Sequence, residues 1–221
     1  MEKQRKKWRI KEYLWELSIV IIGVTVTFGG SGYLKNREQK IMLKKNMIAV
    51  KNELEYNMYD IDVKLTFYED ESKLKNYFQT ISSPAEASKD TIQKYLDGVF
   101  TSFNYYYKKD AFELLKGSES INQLNDIHLL LNIMDAYRIL QFGKESNDIS
   151  MMKKKEIVLN SLKKANLDKT DINSLTDFLC SEKGIDIFLF IKFESGNAES
   201  ALRITKGTIE EVLLQIDKAL N

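Results

Sequence analysis

The sequence predicts an all-α fold: an N-terminal transmembrane helix over residues 13–34, then a helical bundle over residues 35–221 with a long first helix. Three observations predict it. The chain of 221 residues holds one proline and ten glycines, too few for the frequent turns of a sandwich or barrel. Residues 17–34 read LSIVIIGVTVTFGGSGYL without a charge. As a helix that run rises about 27 Å, close to the roughly 30 Å of a bilayer core. Beyond it, Met47, Val50, Leu54, Met58, Ile61, Leu65 and Tyr68 recur at steps of three and four, which is one apolar seam along a helix.

Residues 1–12 form a basic tail carrying Lys3, Arg5, Lys6, Lys7, Arg9 and Lys11. Lys35, Arg37, Lys40, Lys44 and Lys45 stand behind the apolar run, so the positive-inside balance is close. The N-terminal amine tips it toward a cytoplasmic tail. The expectation is therefore a single-pass protein of a bacterial inner membrane, with an extracytoplasmic C-terminal domain. Trp8, Trp15 and Tyr33 bracket the run where amphipathic rings favour the headgroup zone. A cleaved signal peptide is the competing reading. Glu12 and Glu16 just before the apolar core, and a Gly-Ser-Gly in place of small A-x-A residues, count against it.

The basic side chains from Lys3 to Lys11 are placed to lie against an anionic leaflet, at about 1 kcal/mol each. Glu16 sits in the first turn of the span, where it serves as an interfacial acid or as a partner-linked group. Gly23 and Thr27, four residues apart, present small side chains that let two helices approach. Glu16, Gly23 and Thr27 are thus the candidate residues for association in the membrane. Residues 29–32, GGSG, are expected to loosen the helix as it leaves the bilayer.

The seam from Met47 to Tyr68 suits a core-facing bundle helix, with a homo-oligomeric coiled-coil stalk as the alternative. Residues 82–84, Ser-Ser-Pro, end this helix, and Ser83 is placed to cap the next with Pro84 in its first turn. A helix over residues 88–99 follows, with Ile92, Tyr95, Leu96 and Val99 inward. The aromatic stretch FTSFNYYY, residues 100–107, is expected to pack in the bundle. A short helix over residues 110–116 stops at Gly117. Residues 118–142 read as a helix with Ile121, Leu124, Ile127, Leu131, Met134, Tyr137 and Leu140 or Gln141 along one side, with a break or bend at residues 143–147. A helix over residues 151–165 carries Lys153, Lys154 and Lys155 on a solvated face. A short helix over residues 171–180, capped by Thr170 or Asp171, and a last helix over residues 185–220 complete the chain. The start of the last one, IDIFLFIKF, is strand-like by composition alone.

Few residues suggest chemistry. The chain holds one histidine and one cysteine, which excludes an intramolecular disulfide and a multi-histidine metal site within one copy. His128 reads as a core or boundary residue and Cys180 as a small buried one. Phosphate-binding, dinucleotide, nucleophile-elbow and zinc-protease motifs are missing from the sequence. Glu53/Glu55, Glu69/Asp70/Glu71 and Glu210/Glu211 are ordinary for amphipathic helices. The expectation is no catalytic residue, no cofactor and no metal. A net charge of +1 gives no electrostatic drive toward nucleic acid. The expected partners are membrane lipid and either another protein or a second copy.

Glu16, the apolar LSIVII, Gly23, the charged helix over residues 44–54 and the segment AFELLK over residues 111–116 together resemble a family of small membrane proteins found largely in Bacteroidota. Residues 29–33 depart from it, standing where that family has an Asn- and Trp-containing turn. The resemblance implies a single membrane pass and a helical domain, and brings no activity. The functional expectation is a membrane-anchored interaction or sensing module without catalysis. The alternative is a membrane effector or channel-associated subunit assembling through its transmembrane helix.

Overall fold

The structure, a computed structural model, describes the backbone of residues 2–168 and 170–220. The side chains of residues 1–14, 25–31, 169 and 221 lie outside the described residues. These include the expected lipid-facing Lys3, Arg5, Lys6, Lys7, Arg9 and Lys11, and Thr27.

The described chain is helical throughout its regular elements. α1 (Glu2–Phe78) is a single helix of 77 residues, on the order of 115 Å long. It passes both expected boundaries, at residues 12–13 and 34–35, without interruption. It also passes straight through residues 29–32, so the expected loosening there is corrected: helical hydrogen bonding carries the glycines along. The chain then makes a short descent through α2 (Lys89–Lys94), α3 (Leu96–Phe100), an extended stretch, and α4 (Asp110–Gly117). Two 39-residue helices follow, α5 (Ile127–Ala165) and α7 (Glu182–Leu220), separated by α6 (Ile172–Leu179).

Local chemistry sets these boundaries. Asp126 accepts from the Leu129 amide at 3.0 Å to start α5, and Asp171 accepts from the Ser174 amide at 3.1 Å to start α6. α5 ends on Asn166, whose φ of 53° is left-handed, and the Leu167 amide returns to the Leu162 carbonyl. Between α6 and α7 the backbone approaches so closely that a Cβ on Gly184 would lie 2.0 Å from the Phe178 carbonyl oxygen. Only glycine fits that crossing.

The long helices pack as an up-down-up-down bundle with one broken column. α7 runs antiparallel to α1: Lys51 pairs with Asp217 at one end, and the rings of Phe78 and Phe188 meet at the other. It is antiparallel to α5 as well, since Asn132 donates to Gln215 and Lys153 to Glu194. The broken column from α2 to α4 descends beside α1. Its Ile92 and Val99 join Leu74 in a distal apolar layer, and its Phe112 and Leu115 join Leu54 and Ile61 in a proximal one. Each fully buried Leu, Ile or Phe contributes about 1.5–3 kcal/mol.

Several expectations are corrected. Pro84 starts a single 3-10 turn, Pro84–Glu86, and Ser88, not Ser83, caps the helix that follows. That helix breaks at Tyr95 into α2 and α3. Glu119–Gln123 form another 3-10 turn, so α5 begins only at Ile127 and then runs through residues 143–147 unbroken. Its buried face is Leu129, Ile133, Ala136, Tyr137 and Leu140, while Ile127, Leu131 and Met134 are exposed. IDIFLFIKF is helical. The seam from Met47 to Tyr68 is covered by the chain's own bundle, which removes it as the face of a coiled-coil stalk.

The leading part of α1 differs from all of this. Trp15, Leu17, Ile19, Val20, Ile22 and Val24 are each at least half exposed, and they point to opposite sides of the helix. No helix among the described residues is long and apolar enough to cross a membrane. The run 17–34 includes residues 25–31, whose side chains lie outside the described ones.

Candidate functional site

Between the two apolar layers lies a buried charged waist to which every column of the bundle contributes. The seam of α1 continues from Leu65 and Tyr68 to Glu71 and Leu74, which places a carboxylate on the core face. The core face of α5 continues through Asn147, Met151 and Lys154 to Val158. Ser195 and Lys192 occupy equivalent inward positions on α7. Glu71 and Lys154 are each fully buried.

The geometry closes. Lys154 Nζ donates to Glu71 Oε1 at 2.7 Å and to the Gly98 carbonyl of α3 at 2.5 Å. Ser195 Oγ donates to the other Glu71 oxygen at 2.6 Å. Lys192 Nζ donates to Glu199 at 2.7 Å and to the Tyr68 carbonyl at 3.2 Å. Tyr68 OH donates to Asn147 Oδ1 at 3.0 Å. The Gly98 carbonyl reaches Lys154 because α3 lies against α1: a Cβ on Gly98 would meet the Phe67 carbonyl oxygen at 3.2 Å. Burial, then the Glu71 and Glu199 charges, raise the Tyr68 phenol far above its ordinary value, so it remains a donor. Burial pushes the Glu199 carboxyl up, but hydrogen bonds from Lys192 and Arg203 outweigh it and hold the group below the usual carboxylate range.

Two carboxylates face two ammonium groups here, so the layer is close to neutral. A shift of α5 by one turn would carry Lys154 into an apolar layer without Glu71, at a cost of several kcal/mol. The waist therefore selects the register of the bundle. Two surface clefts lie beside the waist, one of about 400 Å³ between α1 and α7 at Lys206 and one of about 510 Å³ at Phe100 and Met152, and neither is lined by Glu71 or Lys154.

A second buried carboxylate organises the broken column. Glu53 on α1 accepts from the Ala111 and Phe112 amides at 2.8 and 3.2 Å, so α1 supplies the anion at the N-terminus of α4. Tyr137 OH adds a third bond to Glu53 at 2.6 Å, and its ring stacks on Phe112 with centroids 4.2 Å apart. Burial, then the bond to Glu53, raise the Tyr137 phenol far above its ordinary value. One turn on, Asn57 pairs with both backbone groups of Lys108 at 2.8 Å and pins the extended stretch. Tyr105 is buried there, and its OH has no hydrogen-bond partner among the described residues.

The sequence-predicted residues fall elsewhere. Glu16 is exposed on the leading part of α1. A Cβ on Gly23 would meet nothing within 4 Å among the described residues. The structure does not bring either into the waist. His128 is exposed at the start of α5, which corrects its expected core or boundary place, because α5 turns Leu129 inward instead. Cys180 is half-buried against the distal layer, and burial raises its thiol. Lys154 corrects the reading of residues 153–155 as a solvated face. Glu71 and Glu53, expected to be ordinary acids of amphipathic helices, are buried instead. Among the described residues no three His, Cys, Asp or Glu side chains converge on a metal-sized site. Comparison with family models, with curated proteins and with solved structures returned no match.

Proposed function

We propose that this protein is a membrane-anchored interaction or sensing module without catalytic activity of its own. One observation carries the reading. The same helix that forms a wall of the bundle carries, near its start, a segment whose exposed side chains include Trp15, Leu17, Ile19, Val20, Ile22 and Val24, with Glu16 and Ser18 among them. An apolar helix surface of that kind is stable in lipid, not in water. Continuity of α1 then fixes the bundle at a set height and orientation above the bilayer. The bundle's interior charges pair with one another, which supports a scaffold presenting surfaces more than a cleft processing a substrate. In this reading Lys3, Arg5, Lys6, Lys7, Arg9 and Lys11 contact anionic headgroups on the cytoplasmic side.

Protease treatment of intact spheroplasts carrying a C-terminally tagged chain tests it. Membrane-bound chain whose tag is lost before lysis supports an anchored, extracytoplasmic module. Tag protection until lysis puts the bundle in the cytoplasm. Recovery of the untreated chain in the soluble fraction overturns the anchor itself.

A further inference from the structure

The extended stretch between α3 and α4 leaves its backbone largely without partners. From Ser102 to Tyr107 the Phe103 carbonyl alone accepts a hydrogen bond within the described residues, from Asn147 Nδ2 at 3.4 Å. Ser102 and Asn104 are exposed, and their side chains have no hydrogen-bond partner among the described residues either. Phe103, Tyr105 and Tyr107 alternate with them and pack against the proximal core. That alternation belongs to a strand with one face on a core, yet no neighbouring strand stands beside it among the described residues. An extended backbone with free N–H and C=O groups is a template for another extended segment.

The cleft of about 510 Å³ runs along this stretch. Phe100, Ser102 and Asn104, at steps of two, form one wall. Asp148, Met152, Lys155 and Leu159, at steps of four, three and four, form the other from a single ridge of α5. Buried Met151 and Val158 lie beneath. The ridge rises about 16 Å from Asp148 to Leu159, room for about five residues of extended chain. Met152 and Leu159 are apolar and more than half exposed. Asp148 is paired with Lys144, whereas Lys155 has no ion-pair partner among the described residues. The cleft thus combines uncommitted backbone groups, apolar side chains and an unneutralised ammonium.

We propose that this cleft binds an extended segment of a partner protein by strand addition along Ser102–Tyr107. Alternate apolar side chains of that segment pack on Met152 and Leu159, and a carboxylate on it pairs with Lys155. A helical occupant satisfies its own backbone and would leave that of Ser102–Tyr107 unpaired, which favours an extended one. The proposal gives the interaction module a binding site and rests on that reading, but not on the membrane anchor.

The test selects phage-displayed random peptides on the full chain in detergent. Enriched peptides should share apolar residues two apart beside an Asp or Glu. Synthesised, they should lose about tenfold or more in affinity on Met152→Glu and on Lys155→Glu, two exposed sites, with helical circular dichroism unchanged. N-methylation of alternate peptide amides should weaken binding as much, and N-methylation of the intervening ones should not. Enriched peptides indifferent to both substitutions bind elsewhere, which overturns the cleft and keeps the interaction module. Peptides sensitive to the substitutions but indifferent to every N-methylation overturn strand addition. Selection without enrichment overturns peptide recognition by this chain altogether.

Discussion

The two halves of α1 are one uninterrupted helix, yet they meet opposite surroundings. In the trailing half Val50, Leu54, Ile61 and Tyr68 are fully buried. In the leading half Leu17, Val20 and Ile22 are more than half exposed. The trailing half is amphipathic, with charges at positions such as Glu55 and Glu69 keeping its far side soluble. The leading half has apolar residues on opposite sides, which a bundle packing on one side cannot cover. The comparison teaches that backbone continuity and apolar content do not decide a helix's environment. The angular distribution of its apolar residues does.

The largest effect should come from the waist of the trailing half. Lys154→Met leaves Glu71 charged and buried, and should cost about 3–5 kcal/mol of folding stability in urea titrations. Adding Glu71→Leu should return most of that loss, because the layer then becomes apolar. A single-site loss without rescue would point to packing instead of charge. Next, Leu54→Ala should cost about 2–5 kcal/mol, whereas Ile22→Ala in the leading half should stay within about 0.5 kcal/mol. Equal losses at the two sites would erase the distinction between the halves.

A smaller effect is expected at the cap that α1 supplies in trans. Glu53→Ala deprives the Ala111 and Phe112 amides and the Tyr137 phenol of their acceptor, and should cost about 1–3 kcal/mol. Amide exchange should accelerate first in α4. The smallest effect should be in the acid limb. Glu199 has a depressed folded value, so its contribution is complete above the unfolded carboxylate value of about 4.3 and fades as pH falls through the folded one. Glu199→Gln should flatten the stability profile below about pH 4 and leave its neutral plateau shape unchanged.

Much of the fold was legible because one seam was unambiguous. Met47, Val50, Leu54, Met58, Ile61, Leu65 and Tyr68 recur at helical steps along one face, and the structure packs that face into the core. α5 was misread because it carries two stripes at helical spacing. Ile127, Leu131 and Met134 form one, and Leu129, Ile133, Ala136 and Leu140 the other. Periodicity identifies a helix but cannot choose between two apolar faces when neither is polar. The waist was hidden by local composition. Lys154 stands in a run of lysines and Glu71 in a run of acids, both of which suggest solvent. A usable signal was present: Glu71 continues the seam three residues after Tyr68 and three before Leu74, so a charge occupied a core position. The Glu53 cap had no local signal, since its partners lie 58 and 59 residues away.

The central claim is that the leading half of α1 belongs in lipid. Alkaline carbonate extraction of membranes from cells expressing either the full chain or residues 35–221 tests it most directly. The full chain should remain in the pellet and the shorter chain should be recovered in the supernatant. Release of the full chain alongside the shorter one would contradict the account.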